Sequence, residues 1–344
     1  MRDLSGNIRK RAAKDLKKIV LAEGEDIRVI KAAKTAIEEG FAKIVLLGDC
    51  NKIKELAKQE GLDCDSCDSI EIINPEHDER LIEYTDLLYN LRKKRGLTEE
   101  QAVRLVKTPL YFATLMVKTG AADGMVCGCV TSSADVMRAA LQVIKTAKGV
   151  SLVSTSFLMN MSEDRVYAFA DCVVNVNPNA MQIADIAISS AETFESFVGE
   201  EARVAMLSYT TYGKDTNSVV SKMQEAAWRA KSKCPDLNVD GEMQLDAAID
   251  EYVANIKIKN SMVGGRANVL IFPDLNSGNI SYKLVQRLGG AQVIGPIMQG
   301  LALPVNDLSR GCTADEIADA IAVTALQAHE IKHPILKIID DDDE

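Results

Sequence analysis

Two stretches of the chain bring hydroxyl, guanidinium and carboxylate side chains to a point where an apolar run ends and a helical pattern begins. One is Asn306-Asp307-Leu308-Ser309-Arg310-Gly311-Cys312-Thr313-Ala314-Asp315-Glu316. Ser309 and Arg310 fall at the C-terminal end of an expected strand, the edge at which open α/β sheets bind their ligands. Thr313-x-x-Glu316 also spells a capping box, in which the glutamate reaches back to the Thr313 N–H. Glu316 thus has both a chemical and a structural reading. The other stretch is Gly128-Cys129-Val130-Thr131-Ser132-Ser133-Ala134-Asp135, followed by Arg138. A strand running into a hydroxyl-rich helix start, with an arginine one turn in, suits a phosphate: free N–H groups, neutral donors and a bidentate charge converge there. Ser132 or Ser133 serving only as an N-cap is the alternative. A third feature, Arg92-Lys93-Lys94-Arg95 before Gly96, is either a solvated basic helix end or a dock for the phosphates of a polyanionic ligand.

Other chemistries find little support. No G-x-G-x-x-G follows the first strand. Gly213-Lys214-Asp215-Thr216 is no Walker loop, because Asp215 takes the Ser/Thr position and Ser208 stands where the first glycine belongs. The three histidines, His77, His329 and His333, form no ligand or triad pattern. Eight scattered cysteines in a chain of 344 residues do not read as a disulfide framework. Cys64-Asp-Ser-Cys67 has CxxC spacing but no second pair at zinc-ribbon distance. No metal site is expected. The net charge is −10, and the run Asp340–Glu344 supplies five of those charges. An acidic balance speaks against nucleic acid as a partner. No apolar run approaches the roughly 20 residues of a membrane span, and the polar, basic N-terminus lacks a signal-peptide core, so a cytoplasmic protein without membrane contact is expected.

The elements that must position these residues follow from periodicity. Lys18–Glu23, Lys43–Gly48, Ile70–Ile73 and Met125–Val130 read as strands, separated by helical patterns at Asp26–Glu39, Ile53–Gln59, Glu79–Arg95, Thr98–Lys107 and Ser133–Lys145. Past Gly149, Ser151–Met161 and Arg165–Val176 are adjacent strand-like stretches joined by Ser162-Glu163-Asp164, which predicts an antiparallel hairpin. Alternation then resumes: helix Asn179–Phe194, strand Arg203–Tyr209, helix Ser218–Lys231, strand Ala267–Pro273, helix Gly278–Arg287, strands Gln292–Gly295 and Pro304–Ser309, and helix Ala314–Ala328. Repeated strand–helix units predict two α/β domains with mainly parallel sheets, and a cleft between them as the ligand site.

With these segments in place, the chain resembles the phosphate acetyltransferases along essentially its whole length. The motifs that carry the resemblance begin with Glu23-Gly24-Glu25-Asp26-x-Arg28 and Ser133-Ala134-Asp135-x-x-Arg138-x-Ala140-Leu141-Gln142. Asp171-Cys172, Asp240-Gly241-Glu242-x-Gln244, Ala267-Asn268-Val269 and Phe272-Pro273-Asp274-Leu275-Asn276-Ser277-Gly278-Asn279-Ile280-x-Tyr282-Lys283 follow. Gly295-Pro296 and Gln299-Gly300-Leu301 then lead to Asn306–Cys312.

The resemblance implies two domains of the isocitrate/isopropylmalate dehydrogenase-like class, 1–149 with 303–344 and 150–302, paired as a homodimer through the second. It implies reversible acetyl transfer between coenzyme A and phosphate by thiolate attack on acetyl phosphate in a ternary complex. CoA is then a substrate, and no cofactor is needed. Ser309, Arg310 and Glu316 take catalytic roles, and Arg92, Thr131, Ser132, Ser133, Arg138, Tyr282 and Arg287 take CoA- and phosphate-binding roles. Glu316 stands where the family usually has aspartate, Thr131 where many relatives have histidine, and Ala22 and Ala139 where proline is usual. A phosphate butyryl- or propionyltransferase of the same fold differs only in its acyl pocket. A dehydrogenase of the shared fold would need a nicotinamide site and an aspartate cluster, and the sequence offers neither.

Overall fold

Strands of β-branched and aliphatic residues form where both sheet faces are to be covered, and the N-terminal part of the chain shows this directly. The computed structural model describes residues 2–161, 165–213 and 216–330. The acidic run at 340–344, His333, the link at 162–164 and Lys214-Asp215 lie outside the described residues. Helix α1 (Leu4–Ala12) precedes β1 (Lys18–Leu21), α2 (Ile27–Glu38), β2 (Lys43–Leu47), α3 (Cys50–Gln59), β3 (Ile70–Ile73) and α4 (Leu81–Arg92). After a 3-10 turn at Lys93–Arg95 come α5 (Glu99–Val106), α6 (Pro109–Thr119), β4 (Gly124–Cys127) and α7 (Ser133–Val143).

The chain then builds a second sheet: β5 (Ser154–Asn160), β6 (Val166–Ala170), α8 (Ala180–Val198), β7 (Arg203–Leu207), α9 (Ser218–Lys233), β8 (Asn238–Met243), α10 (Leu245–Ile249), α11 (Glu251–Lys257), β9 (Val269–Ile271), α12 (Leu275–Gly289) and β10 (Gln292–Gln299). It returns to the first sheet with β11 (Val305–Asp307) and α13 (Ala314–Glu330). Two compact units result. One holds residues 5–147 and 301–330, and the other residues 2–4 and 148–300. They are called the N-terminal and central units below.

The N-terminal unit has a five-stranded sheet in the order β11-β4-β1-β2-β3, and every pairing is parallel. Ile19, Val20, Leu21 and Ile44 to Leu47 are buried, as helices on both faces require. Helix α2 starts at Asp26, whose carboxylate accepts the Arg28 N–H, and it turns Val29, Ile30, Ala32, Ala33 and Ala36 inward. Helix α13 lies so close to β4 that a Cβ on Gly124 would come within 2.4 Å of the Thr324 methyl.

The central unit has a six-stranded mixed sheet, β10-β5-β6-β9-β7-β8. The hairpin expected after residue 150 is there: β5 pairs antiparallel with β6, and with β10 on its other side. β6, β9, β7 and β8 run parallel. The second strand of the hairpin ends at Ala170, earlier than periodicity predicts, because the Asp171 carboxylate accepts the N–H groups of Val173, Val174 and Asn175 and turns the chain.

Helix α6 and strand β8 escaped the periodicity reading. Tyr111 to Val117 of α6 are all buried, and a helix apolar on every side shows no 3.6-residue stripe. β8 has the sequence NVDGEM and pairs only with β7, at the sheet's edge, where alternation is weakly enforced. Among the described residues no helix is long and apolar enough to cross a membrane.

Candidate active site

In the N-terminal unit β11, β4 and β1 are neighbours and point the same way. The loops that follow them therefore gather at one edge. The β1 loop carries Glu23, the β4 loop Gly128–Ser132 and the β11 loop Leu308–Thr313. Glu23 joins the first two. Its Oε2 accepts the N–H groups of Gly128 at 2.9 Å and Cys129 at 2.8 Å, and its Oε1 those of Val130 at 2.9 Å and Thr131 at 2.6 Å. The Cys129 thiol also donates to Oε2, at 2.9 Å. Burial would raise the Glu23 carboxyl, but the Cys129 thiol and the N–H groups of Thr131 and Val130 outweigh it and hold it below the usual glutamate range. Gly128 must be glycine. Its φ is +116°, and a Cβ would lie 2.3 Å from Asp307 Oδ1 and 2.6 Å from Leu308 N.

Arg28 joins the third loop to the other two. Its guanidinium pairs with the Asp26 carboxylate at 2.8 and 3.0 Å and donates to the carbonyls of Cys129 at 3.0 Å, Arg310 at 2.9 Å and Cys312 at 3.0 Å. One planar five-donor fork thus fixes carbonyls that lie 101, 282 and 284 residues from Arg28 in sequence.

Within this frame Ser309 and Arg310 are exposed. The Ser309 hydroxyl accepts the Gly311 N–H at 3.3 Å, and the Ser309 carbonyl accepts the Cys312 N–H at 3.0 Å, so a tight turn presents both side chains outward. Glu316 does close the capping box: its Oε2 accepts the Thr313 N–H at 2.8 Å, while the Glu316 N–H donates to Thr313 Oγ1 at 3.2 Å. Only Oε2 is used. Oε1 of this exposed residue has no partner among the described residues. Asp307, two residues before Ser309, is largely buried, with no hydrogen-bond partner for Oδ1. Burial drives its carboxyl up to about 6, with the Glu23 charge adding to this and the Ser133 hydroxyl and Leu308 N–H opposing it.

Ser132 caps α7, accepting the Asp135 N–H at 3.2 Å and donating to the Asp135 carboxylate at 2.7 Å. Arg138 forms an ion pair with the same carboxylate. The four N–H groups ahead of α7 are committed to Glu23, and the hydroxyls of Thr131 and Ser133 bond the carboxylates of Glu23 and Asp307, so the donors left at this helix start are the N–H groups of its first turn. Arg92, at the end of α4, and Arg138 both act on Tyr111, whose hydroxyl is held up by burial and pulled down by those two charges. The two arginines therefore both lie within electrostatic reach of the Tyr111 hydroxyl, with Asp135 opposing them. A cavity of about 520 Å³ is lined by Ala22–Asp26, Leu47, Lys52, Thr108–Leu110, Val130 and Thr131.

Tyr282 and Arg287 lie in the central unit, on α12. The Tyr282 ring stacks on Phe157 at 4.4 Å and packs against that unit's apolar cluster. Arg287 is exposed in the last turn, where a cation suits the helix end. Glu23, Arg28 and Asp307 were not picked out as site residues from the sequence. A glutamate and glycine directly after a buried strand were the available signal, but nothing local told which loop, some 105 residues on, Glu23 would serve.

A family model described as phosphate acetyl/butaryl transferase matches residues 3–325. The chain belongs to this family. The phosphate acetyltransferase of Acetivibrio thermocellus is 48% identical over 327 residues, which is 94% of this chain and 97% of that protein. That of Clostridium acetobutylicum is 48% identical over 331 residues, 95% of this chain and 98% of that protein. A solved phosphotransacetylase from Streptococcus pyogenes has a similar structure, with a TM-score of 0.91 at 42% identity, covering 96% of this chain and 99% of that one. The Ala22 N–H donates to the Val126 carbonyl at 3.4 Å, and Ala139 is buried inside α7.

The Glu23 nest predicts a pH-dependent loss of stability. Glu23→Gln keeps one acceptor but turns an NH₂ group toward backbone donors, and should cost about 2–3 kcal/mol at pH 7 in urea unfolding. Because folding lowers this carboxyl's pKa, its contribution is complete above the ordinary value of 4.5 and is lost as pH falls through the lowered one. The difference between wild type and variant should therefore shrink below pH 4.5. A gap of constant size down to acid pH would contradict the account.

Proposed function

We propose that this chain catalyses reversible transfer of an acetyl group between coenzyme A and inorganic phosphate. The observation that carries this reading is the exposed Ser309–Arg310 pair on a loop fastened by Arg28, in a chain of the phosphate acetyl/butyryl transferase family. In one direction the CoA sulfur attacks the carbonyl carbon of acetyl phosphate, the C–O bond to phosphorus breaks, and phosphate leaves with the electron pair. The thiol must lose its proton. A thiol with a pKa of about 8.5 is only a few per cent ionised at neutral pH, so a nearby carboxylate helps. Glu316 takes this role without giving up its cap, since Oε2 bonds Thr313 and Oε1 has no partner among the described residues. Ser309 donates to the carbonyl oxygen as negative charge builds there, and Arg310 grips the phosphoryl group in a bidentate fork. Neither step calls for a metal or a redox cofactor.

Arg92 and Arg138, with Thr131, Ser132 and Ser133, are assigned to the CoA phosphates and the free phosphate, and Tyr282 and Arg287 to CoA, on the family resemblance. Eight unpaired cysteines suit a reducing compartment, and we place the enzyme in the cytoplasm. We further propose that it pairs as a homodimer through the central unit. Ile280, Leu284 and Leu288 form an i, i+4, i+8 stripe on α12, and Leu288 is 82% exposed, an apolar face that a second copy would cover.

Initial rates with acetyl-, propionyl- and butyryl-CoA at fixed phosphate test the substrate: acetyl-CoA should have the highest kcat/KM, and a clear preference for butyryl-CoA would overturn the assignment. Ser309→Ala and Arg310→Ala should each lower turnover at least about 100-fold. Glu316→Gln should lower it about as far while leaving thermal stability near wild type, because the amide still caps α13. Full activity in Glu316→Gln would reduce the residue to a cap. Sedimentation equilibrium should give a dimer for the wild type and a shift toward monomer for Leu288→Lys. A wild-type monomer would rule out the proposed pairing.

A further inference from the structure

The central unit holds a second concentration of arginine that the proposed reaction does not use. β6, β9 and β7 are parallel neighbours, so their amino ends share one edge, opposite the carboxyl ends where these sheets usually bind substrate. At this edge a cavity of about 350 Å³ is lined by Arg2, Arg165, Arg203 and Arg266, with Glu200 and Glu251 as the only acidic side chains in its wall. Four guanidiniums face two carboxylates.

The floor of this cavity is fixed. Asn268 is buried; its Oδ1 accepts the Arg203 N–H at 2.7 Å and its Nδ2 donates to the Glu201 carbonyl at 2.9 Å. The Arg203 backbone is held a second time where its carbonyl accepts the Asn268 N–H at 3.0 Å. The Arg203 guanidinium is anchored by carbonyls rather than acids, with Nε donating to the Arg266 carbonyl at 2.6 Å and one terminal nitrogen to the Glu201 carbonyl at 3.2 Å. Arg266 donates only to the Met262 carbonyl, at 3.4 Å. Arg2 is paired with Glu200. Among the described residues no carboxylate lies within ion-pair distance of Arg203 or Arg266. Two positioned and uncompensated guanidiniums in one concavity repel each other, and an anion between them removes that repulsion and completes their hydrogen bonding. Val166, Ile249 and Ala267 give part of the wall an apolar character. A cavity of this size is at the lower end of the range for small-molecule sites.

We propose that this pocket is a separate anion site that takes a small phosphate monoester, its phosphoryl group between Arg203 and Arg266 and its organic part against Val166, Ile249 and Ala267. A phosphoryl dianion matches the two guanidiniums of Arg203 and Arg266, whose planar forks suit its oxygens. The apolar wall separates an organic phosphate from inorganic phosphate, which has nothing to place there.

Isothermal titration of the full-length protein with glycerol 3-phosphate, and separately with inorganic phosphate, tests the assignment. The wild type should bind the monoester, and binding should weaken as salt is raised. Arg203→Gln combined with Arg266→Gln should weaken it about tenfold or more, with turnover in the acetyl-transfer assay unchanged. Arg266→Gln alone, an exposed side chain with one carbonyl bond, serves as the variant whose fold is least at risk and should lose several-fold. Arg310→Ala should bind the monoester like the wild type, which separates this pocket from the site at Ser309. No binding by the wild type, unchanged binding in the double variant, or loss of binding in Arg310→Ala would each overturn the proposal. Inorganic phosphate binding in this pocket as tightly as the monoester would overturn the assignment of an organic ligand.

Discussion

The Glu23 carboxylate accepts the N–H groups of four consecutive residues, Gly128 to Thr131, and the geometry of the candidate active site depends on this contact. The chain leaves β4 in a conformation that turns those donors to one side. Without an anion there, several backbone groups at the edge of a buried sheet would be unsatisfied, at a cost of about 1–3 kcal/mol each. Glu23 fills that position permanently. A nest of N–H groups of this kind commonly cradles a phosphate, and here it is occupied from within. In the proposed reaction, anion binding therefore falls to side chains and to the first turn of α7.

Arg28 extends the same constraint to the loop bearing Ser309 and Arg310. It bonds the backbone at Arg310 and Cys312, so the Ser309 and Arg310 side chains stay exposed while the main chain beneath them is fixed. Gly128 makes this contact possible, since any Cβ would collide with Asp307 and Leu308. Glu316 fits the same division of labour, with one carboxylate oxygen spent on the helix start and the other open. Preorganisation of this sort matters because a displacement of about 1 Å in a reacting group costs on the order of 100-fold in rate.

Much of this was legible in the sequence, and the parts that were not share a cause. The parallel sheet, the hairpin after residue 150 and the placing of Ser309 and Arg310 at a strand end followed from apolar periodicity and turn residues, because those signals are local. The capping box at Thr313 was local too, and it formed as spelled. Glu23, Arg28 and Asp307 act on partners about 100 to 280 residues away, and no spacing rule reaches that far. Ser132 shows the opposite limit: spacing alone fitted both a phosphate donor and a cap, and the structure shows its hydroxyl accepting the Asp135 N–H and donating to the Asp135 carboxylate. Helix α6 was missed because complete burial erases the stripe on which a periodicity reading depends.

One guanidinium and one carboxylate, Arg28 and Glu23, hold the three loops that follow β1, β4 and β11 together. Steady-state turnover of Arg28→Lys tests it most directly. Lysine keeps the positive charge and can still pair with Asp26, but an ammonium cannot span the carbonyls of Cys129, Arg310 and Cys312 together. The account predicts a folded protein whose kcat falls about tenfold or more. A variant with wild-type kcat would show that the clamp is dispensable and contradict it.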